Sequence, residues 1–362
     1  MNPTYSLDKA ALATELRRQL QSALEEEEIY AVLRRFKKAQ WQLVQDAEQK
    51  MGLPELFQVL TDIAELILQG ATEQAQTDLA KRMPLPDTPC AIIAMGKFGG
   101  QELTYGSDLD LIFLYEHLDH QEFFVRFLQR IISLMGLVTV DGYAYKIDTE
   151  LRPSGRTGVL VSTFESFRDY HAQQAKLWEQ QALIKARPLG NTPFSEQIQT
   201  FVRQVVYQPR EPKIALEISH LRHRMEQELA RERPGQYHIK LGPGGIVDIE
   251  FLVQYLQLLH GCDHPELRTP QTLVALEALT GRFLPPEETK FLAETYLFYR
   301  QLETRLRQMT GLATDIIIKG SRLVSEIEER HFPALGGKML DFFLQSREDV
   351  RKIYQRVMHD LF

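Results

Sequence analysis

The stretch Ala91-Ile92-Ile93-Ala94-Met95-Gly96-Lys97-Phe98-Gly99-Gly100 continues as Gln101-Glu102-Leu103-Thr104-Tyr105-Gly106-Ser107-Asp108-Leu109-Asp110 and closes in the apolar run from Leu111 to Tyr115. Two apolar runs of strand length flank a glycine-rich break, and the second run contains two aspartates. A carboxylate buried without a partner is costly or is forced to neutralise. Residues two apart in a strand point to one side, so Asp108 and Asp110 share a face while Leu109 and Leu111 enter a core. Neighbouring carboxylates repel unless a cation lies between them. Mg²⁺ is the simplest such cation, a hard ion that takes oxygen ligands and shares them with substrate phosphates. The pair therefore reads as half of a metal site.

The residues upstream fit the same chemistry. Gly96, Gly99 and Gly100, with Lys97 among them, allow close backbone approach, so that N–H groups can line an anion site such as a triphosphate. Ser107 directly precedes the first aspartate, where its hydroxyl could donate to a phosphate oxygen. The spacing is neither a Walker loop nor a dinucleotide-binding fingerprint. A two-metal site calls for a third carboxylate on a neighbouring strand. Asp148, in Tyr145-Lys146-Ile147-Asp148-Thr149-Glu150-Leu151-Arg152-Pro153, is the candidate; its alternative is a structural partner of Arg152. Glu150 and Arg152 follow Asp148 at i+2 and i+4, on the same strand face. The guanidinium forks of Arg152 and Arg156 suit polyphosphate.

Outward from this centre the texture changes twice. Residues 1–80 carry apolar positions at helical spacing, with Phe36 and Trp41 as core anchors and the acidic run Glu25–Glu28 on a solvated face. Residues 82–90 hold three prolines and mark a domain entry. Strand-like runs follow at 90–96, 109–115, 142–153 and 158–171, with a helical stretch at 120–138, which predicts a compact mixed α/β unit. After Pro209 the chain returns to helices. The expected organisation is α+β: an N-terminal helical segment over 1–85, a catalytic domain over 86–208 and a C-terminal helical bundle over 209–362. A second glycine turn, Lys240-Leu241-Gly242-Pro243-Gly244-Gly245, opens a helix. It reads equally as a hinge, with Asp248 and Glu250 favoured by the helix dipole, and as a substrate contact. His260, Cys262 and His264 lack a fourth ligand and read as a loop.

Composition bounds the function. With 362 residues, 44% of them hydrophobic, the chain can bury two or three packed units. A net charge of −7 argues against a chain built to coat nucleic acid. Two distant cysteines, Cys90 and Cys262, give no disulfide or zinc framework. No run reaches transmembrane length and no leader-type segment opens the chain, so a reducing cytoplasm is the expected setting.

The glycine break followed by Asp108-Leu109-Asp110 resembles the nucleotidyltransferase superfamily related to DNA polymerase β, whose pattern is GG or GS, a spacer, then Dh[DE]h. More narrowly, the chain is similar to the glutamine synthetase adenylyltransferase family through AMGKFGGQELTYGSDLDLIFLY, YKIDTELRPSGRTGVLVSTFESFRDYH, WEQQALIKARPLG and KLGPGGIVDIEFLVQYLQLLHG. That resemblance implies a polymerase β-like fold and transfer of AMP from ATP to a tyrosine of glutamine synthetase, in the control of nitrogen metabolism. It implies that Asp108 and Asp110 hold two Mg²⁺ (or Mn²⁺) ions and that Asp148 completes the site and takes the hydroxyl proton. Gly99, Gly100 and Ser107 would cradle the β,γ-phosphates, and Lys240 would either reach toward the nucleotide or only cap a helix.

Family members usually carry two catalytic halves, one adding and one removing AMP; LRPSG and GGIVDIEF here resemble the adding half. Thr149-Glu150 departs from the family's pattern, which more often has a basic residue before LRP. Phosphorolytic removal of AMP, transfer to a PII signal protein and a silent regulatory half are the competing expectations.

Overall fold

The structure is a computed structural model describing residues 7–310 and 314–359. Its elements in chain order are α1 (Lys9–Ser22), α2 (Glu26–Ala47), α3 (Leu53–Ala80), β1 (Cys90–Ala94), α4 (Gly96–Gly99), β2 (Leu109–Tyr115), α5 (Gln121–Gly136), β3 (Ile147–Asp148), β4 (Ser162–Thr163) and α6 (Phe164–Gln173). There follow α7 (Leu177–Ala182), β5 (Arg187–Pro188), α8 (Pro193–Val206), α9 (Ile214–Met225), β6 (Gln236–His238), α10 (Ile246–His260) and α11 (Thr272–Leu279). The chain closes with α12 (Pro286–Thr310), β7 (Ile316–Ile318), α13 (Arg322–His331) and α14 (Met339–His359). Helix thus dominates, with a small mixed sheet.

The chain forms two units, one of residues 1–175 with 185–202, the other of residues 176–184 with 203–362. In the first, the sheet runs β3–β2–β1–β5, with β4 also paired to β2. β1 and β2 are antiparallel, from Cys90↔Tyr115 to Ala94↔Leu111. β2 and β3 are parallel, and α5 makes the crossover that a parallel pair requires. The parity expected from the sequence holds: Leu109 and Leu111 are 0% and 1% exposed, whereas Asp108 is exposed and Asp110 partly so. Leu109, Leu111, Phe113 and Tyr115 join a core built with α1, α2, α3 and α5. The N-terminal helices therefore bury one face of the sheet that carries the aspartates on its other side.

Two strand readings are corrected. The run 142–153 pairs only at Ile147 and Asp148, and its continuation is a chain of turns. The run 158–171 pairs only at Ser162 and Thr163, then becomes helix α6, because the Thr163 hydroxyl accepts from Ser166 N and caps it. Phe167 and His171, four apart, then share the buried face of that helix.

The second unit is helical, with α10 packed on α9, α11, α12 and α14. A two-stranded antiparallel ribbon joins β6 to β7, with Tyr237 opposite Ile317. Among the described residues, no helix is long and apolar enough to cross a membrane.

Candidate active site

The glycine break folds into a tight turn between β1 and β2. Gly96 has φ of +53°, and a Cβ there would lie 2.3 Å from Asp110 Oδ2, so only glycine leaves that carboxylate its place. Gly99 is required for a different reason: a Cβ would lie 1.8 Å from the Lys185 carbonyl oxygen and 2.5 Å from that of Ala94. Gly100 closes the short helix, its N–H donating to Gly96 O at 3.0 Å. Lys97 is partly buried within this turn. Gln101, just beyond, takes a positive φ of 56°, a strained conformation for a side-chain-bearing residue.

Register supplies the central geometry. Leu109 pairs with Ile147 and Asp110 with Asp148 in the parallel β2–β3 ladder. Partners in a ladder present side chains to the same face, so Asp148 joins Asp110 and, one pleat earlier, Asp108. Asp148 Oδ1 accepts from Glu150 N at 2.7 Å, which fixes that carboxyl and leaves Oδ2 for other work.

Among the described residues, no group of three or more His, Cys, Asp or Glu side chains is placed to hold a metal ion by itself. The donor set is instead hard, all-oxygen and open on one side, which suits an ion that completes its shell with phosphate oxygens and water.

Other expected residues are placed differently. Ser107 is buried, and its Oγ is held by Thr104 N at 3.1 Å and Thr104 Oγ1 at 3.0 Å, so it braces the loop before Asp108. Arg152 does not continue a strand. Its guanidinium donates to Thr149 O at 2.8 Å and to Gly158 O at 3.3 Å, closing the 149–158 loop around itself. Arg156 pairs with Glu150, which holds the guanidinium pKa above its ordinary value. Asp148 thus takes its bond from the backbone, while Arg152 spends donors on carbonyls of its own loop. Lys240 lies in the second unit, where its carbonyl accepts from Val247 N at 3.1 Å, and its nucleotide contact rests on resemblance alone.

The second glycine turn is structural. Asp248 is fully buried, accepting from Arg222 Nε, from Arg351 Nη1 at 3.0 Å and from Gly244 N at 2.7 Å. Arg347 Nε donates to Pro243 O at 2.8 Å, and a Cβ on Gly244 would meet Arg347 O at 1.9 Å. His260 stacks on Phe283 with centroids 4.2 Å apart, in the place where a metal reading would need a free ligand.

Sequence reasoning missed the support of the glycine turn. Glu102 and Lys185 form a buried ion pair at 2.6 Å. Arg187 donates to Gly99 O at 3.2 Å and Phe98 O at 3.1 Å, and pairs with Glu65 at 2.6 Å. Nothing in the spacing of residues 65, 102 and 187 signals this, since three separate elements supply them. An apolar cavity of about 440 Å³, lined by Phe113, Phe123, Phe124, Phe127 and Cys90, lies on the sheet face away from the carboxylates. Burial pushes the Cys90 thiol up to about 11, which suppresses its nucleophilic form.

A glycine turn feeding two in-phase aspartates, with a third opposite them, defines a class of site suited to phosphates and divalent cations. Residues 3–201 match the family model Glutamate-ammonia ligase adenylyltransferase, and residues 218–331 match GlnD PII-uridylyltransferase. The bifunctional glutamine synthetase adenylyltransferase/adenylyl-removing enzyme of Thioalkalivibrio sulfidiphilus is 35% identical over 98% of this chain and 37% of its own length. The enzyme of the same description from Shewanella oneidensis is 33% identical over 86% of this chain and 35% of its own. The chain thus spans little more than a third of the length of these relatives. It belongs to the glutamate-ammonia ligase adenylyltransferase family.

Proposed function

We propose that this chain transfers AMP from ATP to a tyrosine hydroxyl of glutamine synthetase, and that its mixed sheet is a polymerase β-like nucleotidyltransferase core. The observation that supports the reading is the Asp110↔Asp148 register, which sets two of the three carboxylates side by side across the β2–β3 ladder. Asp108, Asp110 and Asp148 would hold Mg²⁺, which when bound would neutralise phosphate charge and polarise the α-phosphorus. Gly96, Lys97, Gly99 and Gly100 would face the triphosphate, and Gly96 keeps the Asp110 carboxylate in place. The tyrosine oxygen attacks the α-phosphorus in line, the bond to the β-phosphate's bridging oxygen breaks, and pyrophosphate leaves. Asp148, fixed through Oδ1 by Glu150 N, is positioned to take the phenolic proton.

The relatives' description names both addition and removal of AMP, and the LRPSG and GGIVDIEF tags favour addition. The test is transfer of label from ATP radiolabelled at the α-phosphate to purified glutamine synthetase, with metal and with chelator. Label that requires metal and disappears in Asp108→Asn supports the proposal; full transfer by that variant sinks it.

Nucleotidyl transfer to a PII signal protein is a second reading, favoured by the match over residues 218–331. Competition of UTP against ATP separates the two.

A further inference from the structure

Helix α2 lies far from the glycine turn in sequence, yet one of its faces reaches both chain segments that lead into the carboxylates. Arg34, Lys37 and Trp41 stand at i, i+3 and i+7, a single stripe. The Trp41 indole lies edge-on to Tyr105, centroids 5.3 Å apart and planes at 83°, and edge-on to Tyr145, at 6.2 Å and 75°. Its Nε1 donates to Tyr145 Oη at 3.3 Å. Tyr105 precedes Asp108 by three residues, and Tyr145 precedes Asp148 by three. Both tyrosines are 3% exposed, so neither can move without repacking.

Lys37 locks this arrangement. Its Nζ lies 4.1 Å from the Trp41 ring centroid and 4.2 Å from that of Tyr145, and it donates to Ala144 O. Arg34 extends the clamp upstream, donating to Gly142 O at 3.0 Å and Leu134 O at 3.1 Å. Burial lowers the Lys37 pKa to about 7, so its Nζ holds the two rings and Ala144 O as a buried donor that is only partly charged at neutral pH.

From this geometry we infer that Trp41, held by Lys37, is a positioning residue that sets the separation between the Asp108 limb and the Asp148 limb. The inference rests on the proposed nucleotidyl transfer at these carboxylates, but its first test needs no turnover. The sequence holds two tryptophans, so Trp178→Phe leaves Trp41 as the sole indole. Titrating Mg²⁺ into that variant is expected to shift the Trp41 emission, and adding Asp110→Asn to abolish the shift. Emission that stays flat throughout the titration overturns the inference.

The second test is kinetic. Trp41→Leu is expected to lower kcat about a hundredfold, the scale of a 1 Å misplacement of reacting groups, while the KM for ATP stays within about threefold. Trp41→Phe, which keeps an edge-on ring, is expected to recover most of the loss. Wild-type kcat in a folded Trp41→Leu overturns the inference. So does a deficit that vanishes when the assay is run well below that variant's Tm, since this marks a merely structural role. A wild-type chain that labels no acceptor would instead overturn the proposed function and leave the emission test standing.

Discussion

Asp110 has two neighbours that define its setting, Asp148 across the ladder and Gly96 beneath its carboxylate. Asp110→Asn is expected to lower AMP transfer at least about a thousandfold, roughly 4 kcal/mol of transition-state stabilisation, while the circular dichroism spectrum is retained. Gly96→Ala attacks the same carboxylate from below. The added methyl meets Asp110 Oδ2 and strains a backbone at φ +53°, so activity is expected to fall far more than the Tm. If the variant loses stability but keeps kcat, the close approach does not serve catalysis. His171 offers a pH test. Burial lowers its pKa from 6.5 to about 4, so the unfolded chain binds the extra proton between those values. Stability of the first unit is therefore complete above pH 6.5 and declines as pH falls toward 4, by roughly 3 kcal/mol for this group alone. Urea midpoints at neutral and mildly acidic pH should converge in His171→Leu relative to wild type.

Among the elements, β1 and β2 were legible because an apolar run with a clean parity leaves one assignment: Leu109 and Leu111 enter the core while Asp108 and Asp110 point away from it. Asp148 is a candidate third carboxylate from the sequence because it lies in a strand-like run near the aspartate pair. Its register against Asp110 could not be read there, because only the α5 crossover sets it. The 158–171 run misled because Val159, Leu160 and Val161 read as strand and the Thr163 cap is a single hydroxyl. The loop bonds of Arg152 to Thr149 O and Gly158 O are not legible in the sequence, because they depend on the turn that the 149–158 segment makes. The second glycine turn is held by a buried ion network that no local pattern shows. Asp248→Ala is expected to destabilise the second unit by about 3 kcal/mol, because it leaves buried Arg222 with only Glu226, 3.3 Å away, as a charge partner and removes the acceptor for Gly244 N. Chemical denaturation checks this, and a loss below about 1 kcal/mol would mean the network relaxes around the gap.

For the molecule as a whole, a net charge of −7 gives no sign of a broad basic groove, so the proposed nucleotide contact calls for a bound cation to offset the phosphate charge. Family membership rests on residues 3–201, which include the glycine turn and all three aspartates. The direction of the chemistry is the claim most exposed to test. The deciding measurement is the intact mass of purified glutamine synthetase before and after incubation with this chain, ATP and Mg²⁺, with peptide mapping of the modified residue. A mass increment of one AMP per modified subunit is expected, mapped to a tyrosine and absent with chelator. Glutamine synthetase left unmodified by ATP, while its adenylylated form loses AMP to phosphate and yields ADP, would contradict it.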